Sequence, residues 1–420
     1  MLPEGWKRTT FGEVTTVASG QVDPTKEPFI DMLHIGPEDI ESNTGRILEP
    51  STCRELGLIS GKYEFDEHAV VYSKIRPHLN KVCFPGFKGL CSADAYPIWP
   101  DEKQLNAEYL ALYMLGPIFE KRAVACSMRT GMPKINREDL QSIPILIPPL
   151  PLQREITEVI KVWDAAIATT EKLLANSRDY WLALIGELLM PVPVSTERQA
   201  GSFPPSVQSG IPKLPPTPTG WHKVALGAHL HEINRPVSLE PDTEYTLVTV
   251  RRSRGGVDKR KVLLGSEIKT PTQFFVAAGD FLISKRQIVH GACGIVPPEL
   301  DGAVVSNEYA VLGSDGKIDP RFLRYLSETT YFQQTCFHSS IGVHVEKMLF
   351  RTEQWLKRPF NIPPLDEQRR IVEILDTARQ QMALAEQQLA LLKAEKCALM
   401  QQLLTGKRRV RLSATEAVSA

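Results

Sequence analysis

Six cations crowd around a glycine pair in the second half of the chain. Arg251, Arg252, Arg254, Lys259, Arg260 and Lys261 flank Gly255-Gly256. Cations on a glycine-tipped hairpin suit phosphate contacts, where each displaces condensed counterions. Arginine can also bind guanine O6 and N7 with two donors at once. Other polar clusters share this chemistry. Lys74, Arg76, His78, Asn80 and Lys81 follow an apolar run in the first half. Lys285, Arg286, Gln287 and His290 follow one in the second. Further along each half comes a glycine loop with polar flanks. The first carries Arg129, Thr130, Lys134 and Asn136, the second Ser339 and His344. All these side chains can donate to or accept from phosphates and base edges. Their recurrence at matching places makes a joint case for nucleic acid that no single cluster makes.

The chemistry of enzymes is missing by comparison. No GxGxxG or Walker loop opens a helix, and no GxSxG or HExxH is present. No Asn-Pro-Pro-aromatic tetrapeptide marks an amino-methyltransferase site. Pro241-Asp242 followed by Glu267-Ile268-Lys269 imitates the carboxylate-carboxylate-lysine set of a Mg²⁺-dependent nuclease. That pattern is short and permissive, and a solvated turn plus a surface strand explains it. His229-Leu230-His231 offers two imidazoles but no further ligands, so it reads as a polar strand or loop. Neither a catalytic residue nor a metal site is expected.

The elements that position these clusters come from a duplication with a period of 215 residues. Gly5-Trp6 recurs as Gly220-Trp221, Gly12 as Gly227, Ile147-Pro148-Pro149-Leu150 as Ile362-Pro363-Pro364-Leu365, and Gln153-Arg154 as Gln368-Arg369. Between these anchors the similarity fades, leaving Ser73-Lys74 near Ser284-Lys285. After each IPPL segment a 3–4 apolar spacing predicts a helix of about 34 residues. The first stripe includes Ile156, Ile160, Trp163, Ile167, Leu174, Trp181, Leu184 and Leu188. The second includes Ile371, Leu375, Met382, Leu389, Leu392, Leu399 and Leu403. Two seams in the same phase favour pairing of the helices, antiparallel, over two helices that each face only their own domain. Paired prolines fix the helix starts, and Gly406 is placed to cap the second.

The division that follows is a mixed α and β domain at 1–147, a helix at 148–190 and a proline-rich linker at 191–219. A second mixed domain at 220–361, a helix at 362–406 and a tail at 407–420 complete it. Strands are read near residues 69–72, 246–250 and 302–305, and helices over 107–119 and 320–332. The fold class is α+β, with a pseudo-twofold internal repeat.

Composition bounds the rest. A net charge of zero argues at first against a stand-alone nucleic-acid binder, but the charge is uneven. Residues 1–150 hold 16 basic and 20 acidic groups, whereas 216–361 hold 18 and 15. Seven cysteines with no CxxC pair suggest small buried hydrophobes in a reducing compartment. No apolar run is long enough for a membrane span, and the N-terminus has no apolar signal core.

Taken together, the chain resembles the specificity subunits of type I restriction–modification enzymes. The Gly-Trp openings, IPPLPLQREI and IPPLDEQRRI, the helices after them, and the ending Gln401-Gln402-Leu403-Leu404-Thr405-Gly406-Lys407 carry the resemblance. It departs where Pro151-Leu152 stands in place of Asp366-Glu367, and in the second glycine loop. The resemblance implies a non-catalytic, cytoplasmic protein that binds double-stranded DNA. Each variable domain would read half of a bipartite, asymmetric site, and the helices would act as a ruler. It also implies two modification (methyltransferase) subunits and restriction (motor-nuclease) subunits as partners, which would carry S-adenosylmethionine, ATP and Mg²⁺. A coiled-coil adaptor that binds only proteins is the alternative reading.

Overall fold

The period of 215 is set by how each domain closes. The computed structural model describes residues 3–127, 133–190 and 210–408. Lys7–Thr10, just after the first Gly-Trp pair, runs antiparallel to Pro144–Ile147, just before the first long helix. His222–Ala225 pairs in the same way with Pro359–Ile362. Lys7 faces Ile147 and His222 faces Ile362, so both partners of the first pair are displaced by the same 215 residues in the second. Gly12 and Gly227 mark the next contact. A Cβ on Gly12 would sit 2.9 Å from the Gln141 side chain, and one on Gly227 3.2 Å from that of Leu356.

The chain forms two compact units, 1–172 with 387–420 and 173–386. In the first, a four-stranded antiparallel sheet has the order Thr15–Val17, Ala95–Pro100, Val70–Ser73, Val82–Cys83. Strand alternation sends Val70 and Tyr72 into the main core and Val71 into a smaller cluster with Ile35 and Phe65. That smaller cluster underlies a three-stranded sheet of His34–Ile35, Gly89–Cys91 and Tyr63–Phe65.

The second unit repeats the four-stranded order with Leu230–Glu232, Tyr309–Ser314, Phe281–Ser284 and Cys293–Ile295. Phe281 and Ile283 face one core and Leu282 the other. Its other sheet has five strands, including the long hairpin Glu244–Val250 and Val257–Leu264. Among the described residues, the first unit's corresponding sheet has only three strands and no such hairpin.

Two predicted helices are broken in the structure. The 107–119 run splits into Ala107–Leu115 and Pro117–Ser127, because Pro117 drives Gly116 to an extended ψ of 150°. The 320–332 run splits into Pro320–Leu326 and Thr330–His338, where the Thr329 hydroxyl caps the second helix. Five of the cysteines are buried and all are free, as small hydrophobes would be. Burial pushes the Cys293 thiol up to about 11.

The long helices are Leu150–Leu189 and Leu365–Leu404, each 40 residues or about 60 Å. They exceed the predicted length because each starts directly after its proline pair. Pro151 falls in the first turn, where its missing N–H is harmless. Gly406 follows the second helix at φ +69°, and a Cβ there would meet Pro3 at 2.4 Å. In the first unit Asp164 pairs with Lys396 and Glu171 with Lys393. In the second, Arg178 pairs with Glu386 at 3.0 Å. In the first unit one number rises as the other falls, and in the second Trp181 lies under Arg379 beyond the 178–386 pair, so the helices run antiparallel in both.

Among the stripe residues, Ile156, Ile160, Ile167, Leu174, Leu184, Ile371, Leu375 and Leu403 are buried. Trp163, Trp181, Leu188, Met382, Leu389, Leu392 and Leu399 are half-buried. Both readings of the stripe apply. Ile156 and Ile160 share the first unit's core with Met400 and Leu403, while Leu184 shares the second unit's with Ile371 and Leu375. Ile167, Leu174, Met382, Leu389 and Leu392 belong to neither core.

Most of the proline-rich linker, 191–209, and most of the tail, 409–420, lie outside the described residues. The linker's last part is packed rather than free: Ile211 and Leu214 lie against the second unit's core, and the Asn361 amide donates to the Pro215 carbonyl at 3.0 Å.

Candidate nucleic-acid interface

The loops are held by a frame built on one buried glutamine in each unit. Gln153 is fully buried in the first turn of its helix. Its Oε1 accepts from the Asn106 amide at 2.8 Å, and its Nε2 donates to the carbonyls of Gln104 and Pro148 at 2.8 Å. Gln368 repeats this, accepting from the Asp319 amide and donating to Lys317 and Pro363, all at 2.9 Å. Asn106 and Asp319 cap the helices that begin at Ala107 and Pro320. The repeated Gln-Arg pair was the visible signal; its partners are too far away in sequence to be read.

A second shared tie joins the loops themselves. The Ile135 amide donates to the Lys74 carbonyl at 2.9 Å, and the Phe350 amide to the Lys285 carbonyl at 2.8 Å. The connection after the central strand and the segment after the glycine loop are thus bonded in both units.

In the second unit the cationic hairpin joins them. The Ser253 amide donates to the His290 carbonyl at 2.7 Å, and the Arg254 amide to Gly291 at 2.9 Å. Ser253, Arg254 and Gly256 all take positive φ, which turns the hairpin sharply. Arg252 Nη2 reaches Glu346 Oε2 at 3.2 Å. Lys261 faces Leu247 and Lys259 faces Val248, so Arg260 is the extra residue of a β-bulge. Lys259, Arg260 and Lys261 are exposed and have no ion-pair partner among the described residues.

Other cations there are already engaged. Arg251 pairs with Asp258, Arg286 with Glu308, and Lys285 with Glu232 at 3.2 Å. Arg254 is half-buried with Nε on the Ser327 carbonyl at 2.9 Å, and desolvation lowers its pKa. Ser339 is fully buried at the end of a helix, and Gln287 is half-buried in a turn. His344 is exposed, beside Val343 at 95% exposure.

In the first unit Arg76, His78 and Lys134 are exposed. Lys74 is buried, with Nζ 4.7 Å from the Tyr96 ring centroid. Desolvation, with Lys134 adding, lowers its pKa. Arg137, overlooked in the sequence, lies over the same ring at 5.7 Å. Two polar residues serve the fold instead of facing outward. Asn80 is buried with its amide on the Leu115 carbonyl at 3.0 Å, and Asn136 caps a short helix through the Asp139 amide at 2.7 Å. Lys81 donates to the Pro37 carbonyl. Arg129 and Thr130 lie outside the described residues.

The carboxylates and histidine of the two enzyme-like patterns sit in a turn, a cap and a surface pair. Asp242 sits in an exposed turn, and Glu267 accepts from the Leu264 amide at 2.9 Å. His229 pairs with Asp315 at 3.0 Å. Among the described residues no group of three His, Cys, Asp or Glu could hold a metal ion. No described helix is long and apolar enough to cross a membrane.

Comparison with known proteins gives three kinds of likeness. A family profile described as "Type I restriction modification DNA specificity domain" matches residues 3–176 and 238–394. The specificity subunit of the type I restriction enzyme EcoDI from Escherichia coli is 38% identical over 176 residues, 42% of this chain. That match spans 38% of the relative's length. Among solved structures, the HsdS subunit from Thermoanaerobacter tengcongensis aligns over 97% of this chain and 98% of its own, at TM-score 0.51 and 19% identity. A chain from a study of type I R-M complex assembly and conformational transition aligns over 97% and 100%, at 0.60 and 20%. The S subunit from M. genitalium aligns over 95% and 96%, at 0.54 and 12%. These structural likenesses speak for the fold.

Proposed function

The chain belongs to the type I restriction–modification DNA specificity family, and from that premise we propose that it is the DNA sequence-recognition subunit of such a complex. Domains 1–147 and 220–361 each read one half of a bipartite, asymmetric site. The helices of 148–190 and 362–406 set the gap and dock two methyltransferase subunits, with the connector 191–219 between the halves. Restriction subunits complete the assembly. Those partners bind S-adenosylmethionine, ATP and Mg²⁺, and this chain catalyses nothing. It works on genomic DNA in the cytoplasm.

One observation carries the reading. Both units hang a cation-bearing connection from the same strand of the same sheet, bonded through Lys74 or Lys285 to the segment after the glycine loop. Equal frames with unlike surfaces are what two unlike half-sites require. Beyond the shared frame, Arg76, His78 and Lys134 are the recognition candidates in the first domain, and Arg252, Lys259, Arg260, Lys261 and His344 in the second.

Mapping N6-methyladenine in cells with and without this gene tests the proposal. A bipartite motif that disappears with the gene is expected; unchanged methylation rejects it. Deleting one heptad from each helix removes about 10 Å, or ~3 base pairs. The gap should shorten or binding should fail. Methylation at an unchanged gap overturns the spacer role.

A further inference from the structure

Three loops of the second unit meet at one carboxylate. Glu346 lies just beyond the glycine loop. Its Oε2 accepts from Arg252 Nη2 of the cationic hairpin at 3.2 Å. Its Oε1 lies 3.1 Å from Nε2 of His290, in the connection after the central strand. The His290 contact is a close approach rather than an aligned hydrogen bond. His290 is buried, whereas the Glu346 side chain remains 63% exposed.

A carboxylate is an odd group on a face that docks on a polyanion. It repels phosphates and weakens binding to every duplex alike. The contacts give it a second role. A guanidinium held through one nitrogen presents its remaining donors in a set direction, as bidentate guanine binding needs. An ionised carboxylate has about four acceptor positions, so unused ones can take a cytosine N4 or adenine N6 amino group.

We infer that Glu346 is a positioning residue for base readout, which lowers affinity for phosphate and raises discrimination between sequences. The inference rests on the DNA-reading role proposed above.

The test uses the full chain assembled with its methyltransferase subunits. Binding is measured on duplexes with the mapped site, on single-base substitutions in the half-site read by the second unit, and on an unrelated duplex. Glu346→Gln should bind the unrelated duplex at least as tightly as wild type. Its ratio of target to substituted-site affinity should fall about tenfold. Arg252→Lys, which keeps the charge and loses the fork, should lose the same discrimination while holding the unrelated duplex. The double variant should lose no more than the worse single one.

If Glu346→Gln changes target and unrelated binding in parallel, or leaves discrimination intact, Glu346 is a surface charge and the inference is overturned. A wild-type complex that does not distinguish target from unrelated DNA overturns the recognition reading itself. Thermal unfolding of each variant, expected to match wild type because the side chain is exposed, separates lost folding from lost readout.

Discussion

The two units share a frame and differ in how they hold the helices. In the first, Arg46 Nη1 lies 2.6 Å from Glu171 Oε2, and Lys393 Nζ lies 2.8 Å from Glu171 Oε1. Arg46 first, then Lys393, holds the Glu171 carboxyl below its usual range. In the second, the rings of Trp181 and Tyr325 are 5.7 Å apart, and the Tyr325 hydroxyl donates to Asp376. Arg379 lies 5.7 Å over Trp181 and 3.2 Å from Glu328. One grip is ionic, the other largely aromatic. The closing ribbon and the buried glutamine are the same in both. A frame of this kind can carry unlike contents, because the contacts that close it do not involve them.

The strongest challenge to that equivalence is at the glutamines. Gln153→Leu leaves a buried amide and two carbonyls without partners, and Gln368→Leu does the same. Each substitution should cost about 3–5 kcal/mol. Thermal unfolding should show similar losses for both. If either unit tolerates the change, the shared frame is not what stabilises it.

The contents should respond unequally. Replacing Lys259, Arg260 and Lys261 together by Gln should lower the slope of log affinity against log salt by up to ~2.7. The pair Arg76→Gln and Lys134→Gln should lower it by up to ~1.8. Titrating binding across salt concentrations decides this. An unchanged slope for the triple variant would mean that the bulged strand does not face DNA.

This contrast also marks what the sequence could reveal. The 215-residue period, the helical stripes and the cationic hairpin are local patterns, and all three are readable. Gln153 is visible only as a repeated letter, because Asn106 and Gln104 lie almost fifty residues away. Asn80 and Asn136 have the right chemistry for bases, yet each satisfies a buried or capping backbone group, which composition cannot show. Arg260 looks like its neighbours until the register shift sets it apart. Glu346 carries the wrong charge for a DNA surface, so a search for cations passes over it.

The helix grips should separate by pH. Trp181→Ala should cost about 3 kcal/mol, independent of pH. Glu171→Gln should cost about 1 kcal/mol at neutral pH. A depressed carboxyl contributes its stability above the unfolded value of about 4.3, and that stability is lost as pH falls through the lower folded value. Hydrogen exchange in acid should therefore loosen the helix segments 164–172 and 390–398 before 181–189. Equal loosening would remove the distinction between the grips.

The smallest effect is the most specific to position. Lys74 and Lys285 occupy the same place in the two frames, each with its carbonyl bonded to the segment after the glycine loop. Lys74 is buried against Tyr96, while Lys285 is half-buried and paired with Glu232. Lys74→Met keeps the apolar stem and removes a charge that the fold disfavours, so the first unit should gain up to ~1 kcal/mol. The depressed lysine also means that wild-type stability rises as pH climbs through its folded value towards about 10.4, a rise the variant should lack. Lys285→Met instead leaves Glu232 without its partner and should cost up to ~1 kcal/mol. Opposite signs, read by thermal unfolding near neutral pH, would show that matched positions in the duplicated frame carry different electrostatic roles. A buried, desolvated lysine beside exposed cations marks a candidate functional site. DNA affinity lost in Lys74→Met despite the gained stability is therefore the result that would tie it to recognition.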